Sequence, residues 1–230
     1  MIFVAYALRG ATGFGAGVVS IPLLLLALPL QVVIPLVTAM GMLASFGQVV
    51  HQRRFVDGAA LRKLLIPSAL GVAVGLWLFK ALDPELLLRL LAVFIIGYAL
   101  SAYLPRRAAR PSPAWLGPLA GTLGGFVATV FGGMAGPLYV VYLRSCALDK
   151  TRFRATMSLA LLALSALRAA GYGGLGFYDA RVLWLLAAAL PVLVVAMIAG
   201  DRWHARLDEA RFGHVVAALL VASGTALLFK

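Results

Sequence analysis

Acidic residues are scarce in this 230-residue chain, with eight Asp and Glu against 20 Lys and Arg. All eight fall in connections between apolar runs, so no run carries a carboxylate to bind a cation or pass a proton. Charged residues of both signs make up 12% of the chain, about half their share in a soluble domain. With 63% hydrophobic residues and a mean hydropathy of +1.00, that scarcity excludes a soluble globule. The single cysteine, Cys146, excludes an internal disulfide, and no His or Cys group has metal-ligand spacing. His-Glu-x-x-His, a nucleotide-binding loop, an intramembrane Ser/His pair and paired Asp are all missing, which speaks against an enzyme, a cofactor and ATP coupling. Met1 to Gly10 has no basic n-region and no small-residue cleavage site, so a cleavable signal peptide is not expected.

What is present reads as an all-α polytopic membrane protein. Apolar runs fall at 2–28, 32–50, 64–79, 86–104, 114–143, 155–170, 182–200 and 212–229. Asp57, Asp83, Asp179 and Asp208 precede runs as helix caps, and Pro84 suits a first turn. The net charge of +12 does not imply nucleic acid, because the Lys and Arg lie between apolar runs and not on one soluble face. Their expected partner is the lipid bilayer, through its anionic inner leaflet.

The halves match when laid side by side. Thr12-Gly13-Phe14-Gly15 pairs with Thr129-Val130-Phe131-Gly132, each followed by a proline, Pro22 or Pro137. Phe55-Val56-Asp57 pairs with Phe177-Tyr178-Asp179, Pro67 with Pro191, and Gly71-xxx-Gly75 with Ala196-xxx-Gly200. Placement of Lys and Arg then decides topology. Eight crossings would leave nine basic residues on each side, which is no bias. If 2–28 and 114–143 instead dip in and return as hairpins, loops 53–63, 105–112, 144–154 and 202–211 share a face with fourteen of the 20, against four opposite. Length agrees, because 30 helical residues would run about 45 Å through a core of about 30 Å. The expected architecture is two inverted repeats, each a broken-helix hairpin plus three spans. The first is 1–104, the second 114–230, joined by a basic cytoplasmic linker at 105–113, with both termini periplasmic.

Irregular backbone at membrane depth survives only inside protein or beside a wet cavity. The glycine turns, Thr12, Gly13, Phe14, Gly15 and Gly17 in one half and Phe131, Gly132, Gly133 and Gly136 in the other, are therefore candidate substrate contacts. The arms after them would aim helix N-termini at an anion. Close helix packing, as in Gly117-xxx-Gly121-xxx-Gly125, is the alternative use of such glycines. Ser158, Ser165, Arg168 and Tyr172 share a helix face, as do Thr38, Gly41, Ser45 and Gln48 at the matching place. Hydroxyls ending in Arg or Gln suit oxyanion oxygens, though Ser and Thr also bond their own helix. Because Arg168 matches neutral Gln48, the positive charge is expected from the second half. Arg9 and His51 are further candidates. Arg9 and Arg168 fit neither membrane face, with snorkelling the alternative for each.

These residues carry a resemblance. Gly10-xx-Gly13-Phe14-Gly15-x-Gly17 with Pro22, His51-Gln52-Arg53-Arg54-Phe55-Val56-Asp57, Leu82-Asp83-Pro84, and Phe131-Gly132-Gly133-Met134-Ala135-Gly136-Pro137 stand in order along nearly the whole chain. The chain resembles the sulfite exporter TauE/SafE family, also called the 4-toluene sulfonate uptake permease family. The resemblance implies a secondary transporter of small sulfur-containing or organic anions (sulfite, sulfonate, sulfoacetate) across the bacterial inner membrane. An anion channel of the same fold and a drug/metabolite-type carrier are the alternatives, and a coupling ion, proton or sodium, and a homodimer stay open.

Overall fold

Aspartate caps and glycine breaks set the helix limits. The computed structural model describes residues 2–12, 16–101 and 113–203. These form α1 (Ile2–Thr12), α2 (Ala16–Leu25), α3 (Leu30–Gln52), α4 (Gly58–Ala81), α5 (Pro84–Ser101), α6 (Leu116–Phe131), α7 (Gly136–Ser145), α8 (Lys150–Gly174) and α9 (Ala180–Trp203), with a 3-10 turn at Arg53–Phe55. Among the described residues there is no strand. Leu30–Val49, Gly58–Ala81, Lys150–Gly174 and Ala180–Gly200 are each long and apolar enough to cross a bilayer. The expected span 212–229, the cap Asp208 and linker residues 105–112 lie outside the described residues.

Asp57 accepts the Ala60 N–H at 2.8 Å, Asp83 that of Glu85 at 2.8 Å, and Asp179 that of Val182 at 2.8 Å. Asp149, unread as a cap in the sequence, accepts from Thr151 and Arg152 at 2.9 and 3.0 Å. Because these caps precede the apolar runs, α4 begins at 58 and α8 at 150, and their polar first turns are helical. Long basic side chains there reach water from a helical backbone.

The segments around the glycine breaks are too short to cross singly. α1 and α2, with 11 and 10 residues, each run about 15 Å, half a hydrocarbon core. α6 ends on Gly132, whose φ of 77° is left-handed, and the Gly133 N–H returns to the Ala128 carbonyl at 2.9 Å. That 6→1 bond satisfies a helix-end carbonyl and turns the chain, and Gly133, at φ 93°, continues it. α7 then doubles back along α6. A Cβ built on Gly117, at the start of α6, would lie 2.9 Å from the ring of Tyr142, near the end of α7.

α6 lies along α4 and α1 along α9, in each case a helix from the other half of the chain. Small residues permit the close approach. A Cβ on Gly121 would lie 2.3 Å from the Leu64 carbonyl oxygen, one on Gly125 2.3 Å from that of Ser68, and one on Gly200 1.9 Å from that of Ala7. The Gly117, Gly121 and Gly125 stripe is thus a packing face.

α3 and α8 form the interior. Their spans are 67% and 50% buried, against 33% for α4 and 22% for α9. They run antiparallel. At one end the Arg152 guanidinium pairs with Asp57 at 2.9 Å, and the Asp57 N–H donates to the Thr156 hydroxyl at 2.9 Å. At the other the Tyr178 hydroxyl donates to the Pro35 carbonyl at 3.2 Å. Ile66, Leu70, Val74 and Trp77 of α4 and Trp184, Val195 and Ile198 of α9 are exposed, an apolar surface suited to hydrocarbon.

Candidate functional site

The start of α2 and the turn between α6 and α7 meet the middle of α3 and α8 around a cavity of about 30 Å³. Its lining comprises Arg9, Gly17, Val37, Thr38, Gly41, Gly132, Gly133, Gly136, Leu161, Leu164, Ser165 and Arg168. A Cβ on Gly17 would lie 2.7 Å from the Gly132 carbonyl oxygen, so the start of α2 touches the turn after α6. The volume has room for about two water-sized groups.

Arg168 is 2% exposed and Arg9 7%, so neither snorkels. Each is anchored to α3 through Nη2. Arg168 donates to Thr38 Oγ1 at 2.7 Å, and that hydroxyl spends its own proton on the Ile34 carbonyl at 2.8 Å. Arg9 donates to the Gly41 carbonyl at 3.1 Å and to the Ser45 hydroxyl. The Nε of each is buried without a hydrogen-bond partner. An unpaired buried guanidinium donor carries a full desolvation penalty. The ion pairs among the described residues, Arg89 with Glu85 and Arg152 with Asp57, involve neither arginine. Among the described residues no carboxylate lines the cavity.

The backbone adds donors. α7 starts at Gly136 with Pro137 in its first turn and no side-chain cap from Ala135. Its first-turn N–H groups and positive dipole end stand beside the cavity.

Of the residues expected from the sequence, Gly17, Thr38, Gly132, Gly133, Gly136, Ser165, Arg168 and Arg9 line the cavity. Ser45 stands behind Arg9 as its acceptor. Ser158 is buried and Gln48 half-buried, both outside the lining; Gln48 Oε1 has no partner. Phe131 faces the apolar core, where its ring stacks on Phe94 at 4.8 Å. Gly13, Phe14 and Gly15, and the side chains of Thr12 and His51, lie outside the described residues. Arg168 reaches the cavity from the second half of the chain, and Arg9 brings a second guanidinium to it from the first. Val37, Leu161 and Leu164 were not read as lining; the last two sit four or seven residues before Arg168, at helical spacing for one face.

Fold and cavity together define a polytopic helical membrane protein whose interior holds two arginines beside the start of α2 and the turn after α6. The chain belongs to the sulfite exporter TauE/SafE family, whose model, described as "Sulfite exporter TauE/SafE", matches residues 1–227. This is a family of membrane transporters and not of enzymes. The chain is 28% identical over 177 residues to the "Probable inner membrane transporter protein TsaS" of Comamonas testosteroni, a stretch covering 76% of this chain and 73% of that protein. It is 26% identical over 223 residues to the "Probable sulfite/organosulfonate exporter TauE" of Cupriavidus necator, covering 94% and 87% respectively. No solved structure matches.

Proposed function

We propose that this protein is a secondary transporter of small sulfur-containing or organic anions, of the sulfite, sulfonate or sulfoacetate type, across the bacterial inner membrane. The observation that carries the reading is Arg168, buried inside the protein, held by Thr38, and facing the cavity with Nε unpartnered. A charge at membrane depth is costly unless paired, and an oxyanion is the partner that this lining accepts. The names of the two relatives, a probable inner membrane transporter and a probable sulfite/organosulfonate exporter, agree with it.

Reconstituted protein preloaded with unlabelled sulfite should accumulate external labelled sulfite transiently above its equilibrium level. Flux that is indifferent to preloading would instead identify a channel.

The proposed architecture is two inverted repeats with both termini periplasmic. The antiparallel α3 and α8 and the exchange of hairpins between halves support it. So does the Arg152–Asp57 pair, which joins two loops that eight crossings would put on opposite faces. Single cysteines at Ala108, outside the described residues, and at Thr151 should both be labelled from the cytoplasmic side. Labelling from opposite sides contradicts the hairpin topology.

A further inference from the structure

We infer that Arg9 and Arg168 act together as a clamp for a single doubly charged tetrahedral oxyanion, so the site selects by charge. This rests on the anion-transport reading and deepens it. Both side chains are more than nine-tenths buried and line the same cavity. Both are fixed to one helix. Arg168 bonds Thr38, and Arg9 bonds the Gly41 carbonyl three residues on, about 4.5 Å further along the α3 axis. With Nη2 committed on each, the unpartnered Nε atoms are donors left over from the anchoring.

Charge and volume set the stoichiometry. Guanidinium groups stay protonated, so the lining carries two positive charges, and among the described residues no carboxylate offsets them. Two monoanions would neutralise the pair, but a cavity of about 30 Å³ takes one compact headgroup. One dianion satisfies both limits. Gly41 keeps the gap open: a Cβ there would lie 3.4 Å from Arg9 Nη1 and 3.8 Å from Ser165 Oγ. Ser165, buried and in the same lining, is placed to contact the same headgroup.

Sulfate and methanesulfonate test this, because they share a tetrahedral shape and differ by one charge. The dianion is the more strongly hydrated, so it is preferred only where two cations face it. Calorimetry on the purified full-length protein should show sulfate binding about 10- to 150-fold more tightly than methanesulfonate, as one further set of charge-assisted hydrogen bonds would give. Arg9→Gln and Arg168→Gln should each reduce that ratio to within about threefold of unity. Arg9→Lys, which keeps the charge, should retain a preference for sulfate although it binds both anions more weakly. Equal affinities in the wild-type protein, which needs no variant to fold, would overturn the dianion clamp and leave anion transport standing. An undiminished ratio in a folded Arg9→Gln variant would also overturn it. Failure of sulfate, methanesulfonate and sulfite alike to bind would overturn the transport reading itself.

Discussion

Arg168→Gln should weaken sulfite binding by about 1.5–3 kcal/mol, roughly 10- to 150-fold in affinity. The substitution removes the charge and the Nη2 bond to Thr38 while keeping a polar side chain of shorter reach. Arg168→Lys should recover part of the loss, because a point ammonium cannot reproduce the planar fork, whose separate nitrogens serve Thr38 and the ligand. An arginine that only reached for the interface would show the opposite pattern, with Lys equivalent and Gln harming insertion more than affinity. Calorimetry on both variants, with size-exclusion profiles as the measure of folding, separates the two. Wild-type affinity in Arg168→Gln would remove this residue from the site.

Gly132→Val should abolish transport. The φ of 77° at this position costs a residue with a side chain about 1–2 kcal/mol, and β-branching adds to it. A Cβ would also lie 2.4 Å from Ile21 Cδ1 and 2.7 Å from Ile34 Cδ1, an overpacking worth about 1–3 kcal/mol more. These isoleucine tips can shift, so the protein should still insert, but the shift moves α2 and α3, which bear Gly17 and Thr38 of the cavity. Gly15→Val in the matching motif, outside the described residues, should behave alike. Gly47→Ala is the control: nothing lies within 4 Å of a Cβ there, and transport should be unchanged. Proteoliposome flux measured beside a size-exclusion profile checks all three, and normal flux in Gly132→Val would show that the turn only packs.

The turn at Gly132 and Gly133 was legible in the sequence because glycine clusters inside apolar runs have few physical uses. Arg168 and Thr38 were legible as members of helix faces at three- and four-residue spacing. Their contact was not, because it joins residues 130 apart and depends on the antiparallel register of α3 and α8. Gln48 shows the limit of matching the halves. It occupies the place of Arg168, yet Arg9 reaches α3 at Gly41 and Ser45, and Gln48 lies a turn or more beyond the lining. Phe131 belongs to the glycine motif by position but to the core by packing, since the left-handed turn begins only after it. The Gly117–Gly125 stripe and the turn at Gly132 and Gly133 look alike as sequence. What separates them is the neighbour, a helix backbone in one case and a cavity in the other.

The most direct test of the central claim is to locate the anion. Selenate, a tetrahedral dianion whose selenium scatters anomalously, can be diffused into crystals of the full-length protein. The account predicts one strong anomalous peak bounded by Arg9, Arg168, Ser165 and the Gly133–Gly136 backbone, with oxygens about 3 Å from both guanidinium groups. A peak confined to the surface arginines, with none between Arg9 and Arg168, would contradict it.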